Sequence, residues 1–462
     1  MFRNVLNSCL QLIGFSLLVV ACKNSVDTLP VSTGKSIEAF VFASLTPPVT
    51  GVVDSVVHTV RATVPVGTDL TKLLPSITLS SNAVITPAPS AAQNFSKPVS
   101  YTVTGMNSTT QSYIVTVSVA STIANGGTLV YIGNGVGNFF AVDGGTGAIK
   151  WRVSTGSSIT SSAFVAAGIA FTGSENGNLY AFDAQTGDQR WKFSTGNSIL
   201  SSPVASGTLV FAGSEDQNLY ALDVVTGALR WKFGTAGGVS SSPVVVNGSV
   251  YFGSKDQTLY ALNAATGSQR WKFGAGDKIT SSPAVVGGLV YIGTNDYNLY
   301  ALDVATGAIK WKFSTGGLVT SSPTVVDGIV YIGSEDKTFY ALDASTGTLR
   351  WKYSTGGRLT ASAAVVNGIV YIGSEDKTFY SLEASTGTLR WKYSTGGIIS
   401  SSAVVYNGFV YLGSQDTSLY CLNATSGVLR WRTPLDAKLL SSPCLANTDL
   451  VPFASGISGG QQ

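Results

Sequence analysis

Residues 321–357 read SSPTVVDGIVYIGSEDKTFYALDASTGTLRWKYSTGG. The stretch falls into four short runs rich in β-branched and aromatic residues, separated by turn residues. Ser321–Val326 is followed by Asp327-Gly328, the dipeptide of a tight hairpin. Ile329–Gly333 turns at Ser334-Glu335-Asp336-Lys337, Phe339–Asp343 turns through Ala344-Ser345-Thr346-Gly347, and Thr348–Tyr353 ends the unit. Four antiparallel strands in about 40 residues make one propeller blade.

Working outward, the same unit recurs along the chain. Tryptophan stands at 151, 191, 231, 271, 311, 351, 391 and 431, which accounts for all eight tryptophans in the 462 residues. Glycine keeps step at 147, 187, 227, 267, 307, 347, 387 and 427, and Tyr or Phe at 140 and every fortieth position to 420. Helical arrays of this period are excluded by the alternating pattern and the Gly-rich turns. Eight units occupy residues 128–448. The chain enters at a second strand (Leu129-Val130-Tyr131-Ile132) and ends on a first strand (Ser441-Ser442-Pro443-Cys444), which predicts that the C-terminal strand completes the N-terminal blade. The fold expected is all-β, an eight-bladed propeller.

The string AxDxxTGxxxW repeats as AVDGGTGAIKW, AFDAQTGDQRW, ALDVVTGALRW, ALNAATGSQRW, ALDVATGAIKW, ALDASTGTLRW, SLEASTGTLRW and CLNATSGVLRW. It resembles the tryptophan-docking motif of pyrroloquinoline quinone propellers, the quinoprotein-like family. Each element has a structural use. The short acceptor (Asp143, Asp183, Asp223, Asp303, Asp343) bonds backbone N–H groups two residues on, and Asn263, Glu383 and Asn423 are expected to keep an acceptor there. Glycine permits positive φ, and the indole is expected to bury between blades while donating a hydrogen bond. Basic residues flank every tryptophan, as in Lys310-Trp311-Lys312. Strand alternation places them opposite the indole on the outermost strand, where charge protects a sheet edge, and turns such as Glu335-Asp336 and Glu375-Asp376 offset them.

Residues 1–21 have the layout of a secretion signal: Arg3, an apolar run from Leu10 to Val20, then Ala21-Cys22. Val19-Val20-Ala21-Cys22 resembles the bacterial lipobox, which implies lipidation of Cys22 and a lipid anchor to the membrane. Residues 22–34 read as a tether, and 35–120 as a small antiparallel sandwich with strands at Ala39–Phe42, Ser55–Val60 and Ser112–Val117. The QSYIVTV ending (111–117) resembles the immunoglobulin-like modules of Bacteroidota lipoproteins. Residues 121–127 form a linker and 449–462 a tail.

Composition narrows the function. Charged residues are 11% and the net charge is +3, too little to argue for nucleic acid. The only histidine, His58, lies in the sandwich and reads as an ordinary strand position between Val57 and Thr59, so the propeller has no histidine base or ligand. Quinoprotein dehydrogenases, which the resemblance also brings in, carry a calcium site, a catalytic aspartate and often a disulfide between adjacent cysteines. Here Cys421 and Cys444 are 23 residues apart, and every repeat keeps the same 40-residue length with no inserted loop. Whether those two cysteines pair is left open. No cofactor or catalytic residue is expected. The signal, anchor and repeats are similar to the propeller lipoproteins of the outer-membrane β-barrel assembly machine, although that resemblance does not cover the sandwich. It implies a monomeric, non-enzymatic scaffold for an outer-membrane or periplasmic protein. A quinone-dependent dehydrogenase and a surface binder of glycan or protein stand as the alternatives.

A partner surface is expected on the rim formed by the turn after each second strand and the link to the next blade. There the repeats disagree: Gly177, Gln217, Gln257, Tyr297, Lys337, Lys377 and Thr417 at one position, and Lys278, Leu318, Arg358, Ile398 and Lys438 at another. The opposite rim repeats the same hairpins and TG turns, dictated by backbone geometry. Positions free of geometric duty can vary, which makes Tyr297, Leu318, Arg358, Lys278 and Lys438 the candidate contacts.

Overall fold

The computed structural model describes residues 34–45, 48–55, 57–64, 68–89, 91–119 and 127–447. The lipobox with Cys22, most of the tether and linker, and the tail lie outside them. Two compact units result, divided between residues 122 and 123.

The first unit has seven strands: β1 (Ile37–Phe42), β2 (Val49–Asp54), β3 (Thr59–Val64), β4 (Ser76–Leu79), β5 (Val84–Thr86), β6 (Val99–Thr104) and β7 (Thr110–Val119). They pair in the order β4-β1-β2-β3-β7-β6-β5. The first half of β2, Val49–Gly51, pairs with β1, and the second half, Val52–Asp54, pairs with β3. The ladder thereby folds over one core to which Phe40, Phe42, Val60, Tyr101, Tyr113 and Phe95 contribute. Two expectations need correction. The pairing is not wholly antiparallel, because β3 and β7 run parallel. Ser55–Val60 is not a strand either: a turn separates β2 from β3, and His58 sits in it with φ 54°, its ring edge-on to Tyr113 at 5.4 Å.

The second unit is the propeller, with eight four-stranded sheets. In the sixth blade the strands are Thr324–Val326, Ile329–Gly333, Thr338–Asp343 and Leu349–Ser354, paired in chain order. The first strand is only three residues long, shorter than its sequence suggests, since Ser321-Ser322-Pro323 lies outside the ladder. Middle strands are buried along most of their length, and Ile329–Gly333 along all of it, because each blade is sandwiched between two others. The core therefore sits between sheets: Tyr291, Ala301 and Trp311 of the fifth blade pack against Val330, Ile332 and Leu342 of the sixth.

Closure follows the predicted route. Cys444–Asn447 pairs antiparallel with Thr128–Gly133 and supplies the fourth strand of the first blade, beside Asn138–Asp143 and Ile149–Ser154. Cys421 and Cys444 are free thiols buried in separate cores. Strict alternation fails on the outermost strand. Register shifts there, so that Trp191 faces Ala181 while Gln189 faces Phe182, and Arg190 is the extra residue of a β-bulge. Gln189 and Arg190 are both exposed, and only then does the buried indole follow.

Candidate functional site

The bulged cation turns back to the acid of the TG turn. Arg190 reaches Asp183 at 2.6 Å, Arg230 reaches Asp223 at 2.8 Å, Arg350 reaches Asp343 at 2.7 Å, and Lys150, Lys310 and Arg390 make the same pair. These acids, rather than those of the Glu335-Asp336 type of turn, take up the first cation of six of the eight outermost strands. In blades four and eight the acid is Asn263 or Asn423, and the arginine goes elsewhere: Arg270 to the Gly248 carbonyl at 3.3 Å, Arg430 over the Phe409 ring at 4.3 Å.

Asp143 Oδ1 accepts from the N–H groups of Gly145 and Thr146, both at 3.0 Å, and Asn263 and Asn423 do the same in their turns. Glu383 does not. One methylene longer, it is spent on Arg390 at 3.0 Å, with no bond to the turn N–H groups among the described contacts.

The tryptophans join neighbours. Trp151 Nε1 donates to the Ala184 carbonyl of the next blade at 3.1 Å, and Trp191, Trp231, Trp271, Trp311, Trp351 and Trp391 repeat the bond. Trp431 completes the circle on the Gly144 carbonyl at 3.1 Å. Gly147 and Gly187 meet these rings: a Cβ on Gly187, whose φ is +80°, would lie 2.9 Å from Trp151. The second-strand tyrosines Tyr131, Tyr291, Tyr331, Tyr371 and Tyr411 add a hydroxyl bond to the same carbonyls.

Around the axis runs a set of bonds that the sequence reading missed. The N–H of Ser162 donates to Ser202 Oγ at 3.0 Å, and Ser202, Ser242, Ser282, Ser322, Ser362 and Ser402 each pass the bond to the serine 40 residues on. Ser442 returns it to Ser162 at 3.0 Å. The preceding serine works inside its own blade, as Ser161 Oγ accepts from Gly173 N–H at 3.0 Å. The signal was the Ser-Ser pair that opens most repeats.

On the expected partner rim, successive blades are tied together by backbone hydrogen bonds. Each link carbonyl is held by the following blade's turn: Asn295 N–H on Lys278 O at 3.0 Å, Glu335 on Leu318 at 2.9 Å, Glu375 on Arg358 at 3.0 Å and Gly135 on Lys438 at 2.9 Å. In six blades the turn aspartate adds a clamp. Asp216 Oδ2 accepts from Gly196 N–H at 2.7 Å and from the Tyr220 hydroxyl at 2.8 Å. Burial works to raise the Asp216 carboxyl, but these hydrogen bonds hold it below its ordinary value. The aspartates of the Ser-Glu-Asp turns are thus fastened to protein groups, and among the described residues no three His, Cys, Asp or Glu side chains gather as a metal site.

Most of the candidate side chains on that rim are exposed although their backbones are fixed. Tyr297 is 51% exposed, Lys278, Arg358 and Lys438 are exposed, and Leu318 is half-buried. Arg358 lies between Glu335 at 3.3 Å and Glu375 at 3.9 Å. The expectation that the turn position has no geometric duty is corrected. Gln217, Gln257, Tyr297, Lys337, Lys377 and Thr417 all take left-handed backbone, with φ from 68° to 73°. What varies there is the side chain, against a conformational cost.

Set beside known proteins, the repeats match the family described as outer membrane protein assembly factor BamB over residues 102–254, 215–337, 255–404, 314–437 and 394–456. The chain belongs to that family. The profile described as SGBP, N-terminal, matches residues 37–117, the first unit of this BamB-family chain. No curated protein matches it in sequence. Among solved structures, BamB from Moraxella catarrhalis is similar at 23% identity and TM-score 0.56, covering 63% of this chain and 92% of that one. The computationally designed Ika8 protein matches at 17% and 0.57 over 63% and 94%. The quinohemoprotein alcohol dehydrogenase ADHIIG from Pseudomonas putida HK5 matches at 15% and 0.51 over 62% and 69%. An assembly factor and a dehydrogenase share this architecture, so these likenesses speak for the fold alone.

Proposed function

We propose that this BamB-family protein is a non-enzymatic scaffold of the cell envelope, anchored through a lipid on Cys22. Its propeller binds a protein partner engaged in outer-membrane protein assembly or envelope maintenance. The observation that carries the reading is the rim of links and second turns. Every link there has its carbonyl locked by the next blade, while the outward side chains run Ser158, Ser198, Gly238, Lys278, Leu318, Arg358, Ile398 and Lys438. A fixed backbone that presents the aromatic Tyr297, the aliphatic Leu318 and Ile398 and the guanidinium of Arg358 loses little entropy on docking, and aromatic and arginine side chains are suited to binding hot spots. The family's own description, an assembly factor, supports the same reading.

Affinity capture from native membranes tests it. The Tyr297→Ala, Leu318→Ala, Arg358→Ala triple variant is expected to lose its envelope partner at a nearly unchanged melting temperature. Full retention would remove this rim from the account. Cys22→Ser is expected to release the protein from membranes and abolish fatty-acid labelling.

A further inference from the structure

On the other rim, four residues that differ from most of the repeats come together in one place. Ser249 stands where the other blades have Leu129, Ile169, Leu209, Leu289, Ile329, Ile369 and Phe409. Asn263 replaces the acid that would hold Arg270, and Arg270 finds no carboxylate among the described residues. Val304, a valine as at Val224, stands where Ala184, Ala344, Ala384, Ala424 and Gly144 offer the five carbonyls that accept a tyrosine hydroxyl. Tyr251, the tyrosine that would use Val304, has no hydroxyl partner among the described contacts. Gly287 replaces the Asn or Asp that opens the hairpin at 247, 327, 367 and 407. Together these leave a cleft of about 280 Å³ between blades four and five, walled by Val246, Val285 and Val304 and bordered by Ser249, Tyr251 and Arg270.

We propose that this cleft binds a compact organic carboxylate. Arg270 offers a planar fork of donors with no acid to occupy it. The Tyr251 and Ser249 hydroxyls, on residues only 3% and 4% exposed, supply further donors deeper in. Valine side chains receive the apolar body. The volume lies at the small end for a ligand pocket, which sets the ligand's size. The site is independent of the partner rim, which lies at the opposite ends of the strands.

The test is calorimetric titration of the full-length mature protein with benzoate, cyclohexanecarboxylate and 3-methylbutanoate, with benzamide as the uncharged control. At least one carboxylate is expected to bind saturably at one site, with benzamide weaker by about tenfold or more. Arg270→Gln is expected to weaken binding by at least about tenfold. Asn263→Asp is expected to recapture the arginine and do likewise. Ser249→Leu is expected to fill the cleft, abolish binding and raise the melting temperature. It keeps the proposal falsifiable, since the filled variant folds at least as well. No binding of any of the three carboxylates to the unaltered protein up to about 10 mM would overturn the proposal, as would undiminished binding to Ser249→Leu or Arg270→Gln.

Discussion

The backbone N–H of Ser442 lies 3.0 Å from Oγ of Ser162, a residue 280 positions earlier, and this bond closes a circle of eight serines. No single blade can satisfy those N–H groups, because each donor and its acceptor belong to different blades. Closure is therefore an energetic feature as well as a topological one. Ser162→Ala leaves the Ser442 N–H without its acceptor and should lower unfolding stability by about 1 kcal/mol. Truncation before Ser441 also removes the strand that pairs with Thr128–Gly133, and should broaden the urea transition into separate steps. An unaltered, single sharp transition after truncation would count against the closed ring.

Glu383 breaks the turn motif in the seventh blade. Glu383→Asp restores a side chain short enough to accept from the turn N–H groups, as Asp343 does at 3.0 Å. Its pairing with Arg390 can persist, as in the Asp343–Arg350 pair at 2.7 Å. The variant should gain about 0.5–1 kcal/mol in urea unfolding. Destabilisation would show that Glu383 is already best for its site.

Most of the architecture could be read from one residue type. A tryptophan every 40 residues fixed blade number, and the missing first strand of the opening blade foretold the closing strand. Features that depend on contact across blades stayed hidden. Ser161 and Ser162 look alike in sequence, yet one serves its own sheet and the other accepts from a residue of the eighth link. Tyr297 looked unconstrained because its left-handed backbone is imposed by the turn and not marked by glycine. The alternation of Val57, His58 and Thr59 suggests a strand, but tertiary context puts a turn there. At the rim, the residues were legible and their locked carbonyls were not.

Acid should undo the propeller progressively. The Arg190 and Thr186 bonds hold Asp183 low, and Lys150 and Thr146 outweigh burial at Asp143. Asp216, Asp296 and Asp376 are lowered likewise, against burial, by tyrosine and backbone donors. Carboxyls depressed in the folded state contribute stability fully above the unfolded value of about 3.9 and lose it as pH falls towards the folded values. The melting temperature should stay level down to about pH 5 and then fall progressively as the pH drops, since many such groups titrate together. A level curve to about pH 2 would contradict the assignment.

Burial pushes the thiols of Cys421 and Cys444 up to about 12, so both stay protonated in the folded protein. Iodoacetamide should leave the peptides carrying them unlabelled in the native state and label them after denaturation. Rapid native labelling at neutral pH would mean that the interblade cores open readily.

The central claim is that a partner docks on the rim of links, and site-specific photo-crosslinking in the native cell tests it most directly. Crosslinkers placed at Tyr297 and Leu318 probe that rim, and crosslinkers at Val225 and Val428, exposed in the TG turns, probe the opposite one. The account predicts a discrete adduct with one envelope protein from Tyr297 and Leu318 and none from Val225 and Val428. Adducts confined to the TG-turn positions, or none from the link rim, would contradict it.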